Sequence, residues 1–205
     1  MSRRSRLKPI DRKAAILKVA IKLFNQKGYQ NTTMADLVEA SGLSFGGFYH
    51  HYRHKADILL DIMRQGNQLR IKRSQQLVKK HNKLSCQDIL IELTLNKLLD
   101  KNELKSIYAM LLLAMKKDPK LRCFYRQLEK EGIHGLREFL QKNHFTAHHH
   151  ITSEFVIGFI NSLFLGMYVL DLSSIFMQEK KLLREVIKLL LFYQKGKVKD
   201  FNNEK

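Results

Sequence analysis

The chain has little in it that would punctuate or cross-link a fold. Of 205 residues two are proline, two are cysteine and ten are glycine, and tryptophan is absent. Cys86 and Cys123 stand outside any CxxC spacing, so they supply neither a disulfide framework nor a redox pair, and two buried structural thiols are the expectation. Acidic side chains are also scarce: 19 against 37 lysines and arginines, a formal charge of +18. That imbalance favours polyanionic partners, whose phosphates attract a basic surface over a Debye length of about 8–10 Å, without saying which polyanion. The excess is not confined to one region, because residues 1–60 hold 11 basic against 4 acidic side chains and the remainder stays basic too. Long apolar runs are missing as well. The charge-free stretch Phe155–Leu170 is 16 residues long and carries Gly158, Asn161, Ser162 and Gly166. A membrane span needs about 20 apolar residues, so a buried or interface helix is expected there. No apolar leader precedes the first charges, which points to the cytoplasm. There is no Walker loop, GxSxG, HExxH or telling carboxylate pair, so no enzymatic activity and no cofactor are expected.

What is present forms helices. Leu, Ile, Lys, Glu and Gln are plentiful, and the fold class they imply is all-α, with about nine helices. Ser2–Lys8 is polar and basic without apolar periodicity, an arm able to reach phosphates. Pro9 opens the first helix, and Ala14, Leu17, Ala20, Ile21 and Phe24 recur at helical spacing until Gly28, predicting a helix near 10–27. Thr33, with Asp36 three residues on, resembles a capping box for a brief helix near 34–40 that Gly42 closes. Leu43 is the turn residue, and Ser44 caps a third helix reaching about His50 despite Gly46 and Gly47. Two short helices joined by a tight glycine-containing turn spell helix-turn-helix. Further helices are predicted near 55–80, 86–100, 103–117, 119–142, 152–177 and 180–194, with starts at Ser85, Asn102 and Asp118-Pro119. The expected division is an arm plus helix-turn-helix domain over 1–54 and a second helical domain over 55–205.

A recognition helix must show its N-terminal side chains to the major groove while its other face holds the module together. Leu37, Val38, Leu43, Phe48 and Tyr52 can supply that inner face, which leaves Ser44, Phe45, Gly46, Gly47, Tyr49 and His50 for DNA. The run Thr32–Val38 followed by Ser41–Leu59, with its Gly42-Leu43-Ser44 turn, Phe48-Tyr49-His50 centre, Tyr52 and Lys55, resembles the TetR family of transcriptional regulators. Phe24 and Gly28-Tyr29 fit the same pattern, and the resemblance covers about residues 10–60. It implies a dimeric regulator that binds double-stranded DNA at a palindromic operator and is released by a small organic effector, with residues 55–205 serving regulation and dimerisation. A constitutive regulator or activator whose second domain only dimerises is the alternative, and an enzyme or lipid carrier a remote one. The resemblance further assigns phosphate contacts to Tyr49 and Lys55, and Thr33 stands at a helix N-terminus suited to the same work. Where the family frequently has lysine and threonine or serine, this chain has Phe45 and Gly47. A phenylalanine cannot donate to guanine but can pack on a thymine methyl, unless Phe45 is instead a core aromatic beneath the second helix.

The resemblance places an effector cavity among the later helices, and its candidate lining is Tyr108, Met115, Phe124, Tyr125, Phe159 and Met167; as helical core these need no ligand. Phe155, Phe159, Leu163, Gly166 and Leu170 recur at three- and four-residue spacing, as do Leu182, Val186, Leu189 and Tyr193, so two helices each offer an apolar stripe for a homodimer interface. His148, His149 and His150 lie near His144 and Glu154, but a solvated loop from Asn143 to Ile151 is expected and no metal site.

Overall fold

Helix boundaries follow the caps. In the computed structural model, which describes residues 9–80, 84–144 and 149–193, α1 (Pro9–Lys27) stops where Gly28 takes a φ of +77° and donates its N–H to Phe24 O at 2.9 Å. Before α2 (Met34–Ser41), Thr33 Oγ1 accepts from the Asp36 N–H at 3.1 Å while Asp36 Oδ2 accepts from the Thr33 N–H at 2.8 Å. This reciprocal box satisfies two N–H groups that an open helix end leaves without partners. Ser44 caps α3 (Phe45–Tyr49), its Oγ accepting from the Gly47 N–H at 3.2 Å. Then come α4 (Lys55–Lys80), α5 (Cys86–Leu99), α6 (Leu104–Ala114), α7 (Pro119–Lys142), a 3-10 turn (His149–Thr152), α8 (Glu154–Val169), α9 (Ser173–Gln178) and α10 (Lys180–Phe192). Among the described residues there is no strand, and no helix is long and apolar enough to cross a membrane.

Three sequence expectations need correction. The helix expected over 152–177 is two helices, because Asp171 takes a φ of +51° and the Leu172 N–H turns back to Met167 O at 2.9 Å. Short polar side chains tolerate that left-handed conformation, so Asp171 ends α8 as a glycine would elsewhere. Apolar spacing hid the break, since Ile175 and Phe176 continue it. The loop expected over 143–151 contains the 3-10 turn, while residues 145–148, His148 with them, lie outside the described residues, as do the arm at 1–8 and the side chains of His149 and His150. The cysteines are not buried structural thiols either: Cys123 is exposed and Cys86 half-buried, its thiol pKa pushed up by that burial.

Two compact units result, one joining the chain up to Lys72 with Lys101–Gly132, the other joining Arg73–Asp100 with the chain from Ile133. Compactness therefore divides the chain differently from the boundary expected at residue 54. The physical reason lies in the first core. Ile16, Ala20 and Phe24 of α1, Leu37 of α2 and Phe48 of α3 are buried together with Ile58, Leu59 and Ile62 of α4, Ile107 and Leu111 of α6 and Leu121 of α7. Helices α1 to α3 do not enclose a core of this size alone, and α4, α6 and the start of α7 close it. Across that unit the Arg64 guanidinium donates to both oxygens of Glu131, at 3.0 and 2.8 Å. In the second unit α5 packs against α8, α9 and α10, burying Ile91, Leu95 and Leu98 with Val156 and Phe164 of α8 and Leu183, Ile187 and Leu191 of α10. Arg184 of α10 bridges Asp88 at 2.5 Å and also pairs with Glu92, and the Lys97 ammonium donates to Asn161 Oδ1 at 2.8 Å.

Candidate nucleic-acid interface

The two faces of α3 are sharply different. Phe48 is fully buried and Tyr52, just past the helix, nearly so, while Phe45 is 67% exposed and Ser44, Gly46 and His50 are exposed. Phe45 is thus not a core aromatic beneath α2. Its ring lies 4.3 Å from that of Tyr49, tilted by 30°, and Tyr49 in turn meets Phe48 edge-on at 6.2 Å. One side of the helix is anchored, and the other stands free. The surroundings of the two glycines between differ: nothing lies within 4 Å of a Cβ built on Gly46, whereas one built on Gly47 would meet Ser44 Oγ at 3.0 Å.

Tyr52 ties the module down. Its hydroxyl donates to Asp61 Oδ2 at 2.9 Å, and Lys13 of α1 bridges the same carboxylate at 2.7 Å. Burial, then the bond to Asp61, raises the Tyr52 pKa. For Asp61 burial opposes ionisation, but the bonds from Lys13 and Tyr52 outweigh it and hold the carboxyl below its ordinary value. These contacts join α1, the end of α3 and α4 through one ion.

Lys55, where a phosphate contact is expected, has partners inside the protein. Its ammonium donates to the carbonyls of Tyr29, Gln30 and Thr32 at 2.8, 3.1 and 2.9 Å and sits 4.5 Å from the centre of the Tyr29 ring. An ammonium has three N–H donors, and all three are engaged inside the protein. Lys55 fastens the α1–α2 loop and so sets where Thr33 and α2 begin. The Thr33 hydroxyl is likewise engaged, donating to Asp36 Oδ2 at 2.8 Å, although the residue is exposed.

Beside α3 lies an open cleft of about 510 Å³ lined by Tyr49 and His50, by Lys13, His51, Arg53, His54 and Arg64, and by the acidic Asp57 and Asp61, of which Asp61 pairs with Lys13. Of these nitrogen side chains only His50 is among the residues that the sequence leaves for DNA. The available signal was density, because His50-His51-Tyr52-Arg53-His54-Lys55 carries five titratable or cationic nitrogen side chains in six positions. Burial, followed by the nearby charges of His50, Arg12 and Lys13, lowers the His51 pKa.

The other candidate residues fall as follows. Tyr108, Met115, Phe124 and Tyr125 are partly buried against the first unit's core, and the Tyr125 hydroxyl donates to Glu129 Oε1 at 3.0 Å. Phe159 and Met167 belong to the second unit, Phe159 exposed and Met167 buried. Phe155, Leu170, Leu182, Val186, Leu189 and Tyr193 are exposed along with Phe159, and Leu163 and Gly166 partly so.

Residues 16–62 match the model of the bacterial regulatory proteins of the tetR family. That stretch is similar to the TetR-type N-terminal module. It is 31% identical over 62 residues to the HTH-type transcriptional regulator AcrR of Shigella flexneri, covering 30% of this chain and 29% of that protein. With the HTH-type transcriptional repressor KstR2 of Mycolicibacterium smegmatis it shares 29% identity over 56 residues, 27% of each chain. The matched stretch therefore spans less than a third of these relatives. Beyond it the likeness is one of fold. Salmonella enterica GusR superimposes with a TM-score of 0.65 at 16% identity, over 90% of this chain and 97% of that one. The multidrug binding protein EbrR, solved with malachite green, does so with a TM-score of 0.53 at 18% identity, over 89% and 99%. In the TetR-type module of this chain the matched span runs from the buried face of α1 through the turn and α3 to Ile62 of α4, and it contains Lys55, Tyr52 and Asp61.

Proposed function

We propose that the chain is a TetR-like transcriptional repressor that binds a palindromic DNA operator as a homodimer and is released by a small organic molecule. The observation that carries the DNA half is α3 itself: a capped helix after a glycine turn, its inner face fixed by Phe48 and Tyr52 and its outer face free. That is the form in which a helix enters a major groove. Ser44, Phe45, Gly46, Gly47, Tyr49 and His50 form the reading surface, and Lys55 and Thr33 position it. The matched relative KstR2 is named a transcriptional repressor, which favours repression over activation here.

Dimerisation is supported by the apolar stripes of α8 and α10, which leave Phe155 at 69% and Leu189 at 64% exposure in the single chain. Side chains of this size gain about 1.5–3 kcal/mol each on full burial, so such stripes favour a partner. The effector half draws on the fold likeness to a protein solved with malachite green and on the partly buried Tyr108, Phe124 and Tyr125.

Selection from random duplexes tests the proposal. An inverted repeat is expected, since a two-fold dimer presents two recognition helices to successive major-groove faces, with Kd on the order of 10⁻⁸–10⁻¹¹ M at physiological salt. Enrichment of sequences without symmetry would remove the dimeric reading, and no enrichment at all would remove the DNA reading.

A further inference from the structure

We infer that α3 reads its half-site through thymine methyl groups, with Phe45 as the specificity-determining residue and Tyr49 as its support. The inference rests on the DNA reading above and goes further by naming the base chemistry recognised.

The inventory of the reading surface leads there. Discrimination by hydrogen bonding in the major groove falls mainly to Arg, Lys, Asn, Gln, Asp and Glu, which match the donor and acceptor pattern of a base edge. None of these occurs from Ser44 to Tyr49. The Ser44 hydroxyl already accepts from the Gly47 N–H, and Gly46 and Gly47 present no side chain. At the N-terminal turn of α3, where a recognition helix meets base edges, what projects is the Phe45 ring, 67% exposed, while the exposed imidazole of His50 lies at the far end, beyond the last helical residue.

That ring is also held. It lies 4.3 Å from the Tyr49 ring one turn on, and Tyr49 meets the fully buried Phe48 at 6.2 Å, so the exposed plate is braced against the core. The space beside it at Gly46 is open. Among the four base pairs, thymine alone offers an apolar group in the major groove, its 5-methyl. Seated on that methyl, the ring covers apolar surface. Seated on the amino group of cytosine or the acceptors of guanine, it strips water from polar atoms and returns no hydrogen bond. The same plate therefore attracts thymine and disfavours cytosine and guanine.

The test exchanges thymine for deoxyuridine, which deletes the methyl and keeps every hydrogen-bonding atom. The duplex enriched from the random pool is remade with one exchange at a time and titrated against the full-length protein and Phe45→Ala at fixed salt. At one or more thymines per half-site the exchange is expected to weaken wild-type binding about three- to fivefold, the effect of one buried methyl. Phe45→Ala should bind the thymine duplex more weakly and no longer distinguish it from the uridine duplex there, while Phe45→Leu, which keeps apolar surface, should retain part of the preference. Because Phe45 is exposed, both variants should melt with the wild type. A protein that selects a duplex yet ignores every exchange overturns this inference alone. One that selects no duplex overturns the DNA reading and this inference with it.

Discussion

Lys55 and Asp36 show how a reading surface is set by groups that need not touch DNA. Lys55→Ala leaves three carbonyls of the α1–α2 loop without their donor. Losing such bonds at a half-buried site costs about 1–3 kcal/mol, so the urea midpoint should fall. Because the loop places α2 rather than any base contact, affinity for operator and for unrelated duplex should fall together. Unchanged stability in the variant would return Lys55 to a direct phosphate role. Asp36 gives a pH signature. The backbone N–H of Thr33, then the Lys27 ammonium and the Thr33 hydroxyl, lower its pKa from 3.8 to about 2. A folded value below the unfolded one means that the stabilisation is present above about pH 4 and fades as pH falls toward 2. Thermal melts should therefore show a shallower loss between pH 4 and pH 2 for Asp36→Asn than for the wild type, and parallel curves would mean that the capping box carries no charge-dependent stability.

At the scale of the element, α8 and α10 each divide into a side that builds the second unit and a side left over. Val156, Phe164 and Met167 of α8 and Leu183, Ile187 and Leu191 of α10 are buried, while Phe155, Phe159, Leu182, Val186 and Leu189 alternate with them in helical register and are exposed. A helix with apolar residues on both sides is built for two sets of neighbours. Glutamate at Leu163 or Leu189 is expected to yield folded monomers in sedimentation, since Leu189 lies outside the core and Leu163 only partly within it. A dimer that survives both substitutions would rule out this face as the interface.

At the scale of the whole molecule the proposed repressor needs two arrangements that an effector tells apart. A ligand shifts operator affinity only by its differential affinity for them, and a coupling of about 1–3 kcal/mol corresponds to roughly 5–150-fold. Thermal-shift screening of small aromatic and apolar molecules against the full-length protein, followed by operator titration with each hit, is expected to find compounds that raise the melting temperature and weaken DNA binding within that range. Hits that bind and leave operator affinity unchanged would replace the sensor reading with a constitutive dimer. The charge of +18 adds a dependence of all DNA binding on salt, because displaced counterions favour association more at low ionic strength.

The sequence by itself determined the helices and their ends wherever a local rule applies. Thr33 with Asp36, Gly42, Ser44, Ser85 and Gly28 each satisfy or terminate a helix through atoms a few residues away, so spacing alone reveals them. The turn leading into α3 was legible for the same reason, being set by Gly42 and Ser44, whereas the burial of Phe48 and Tyr52 rests on α1 and α4. What tertiary structure decided depends on partners far along the chain. Lys55 meets carbonyls 23 to 26 residues earlier, Arg64 meets Glu131 and Arg184 meets Asp88 and Glu92, none of which any periodicity indicates. Nor could spacing say whether Phe45 would pack beneath α2 or face outward, or that Asp171 would break an apolar helix, because both outcomes turn on which surfaces the rest of the chain covers. Local hydrogen bonding is written in neighbouring residues, while burial is a property of the assembled core.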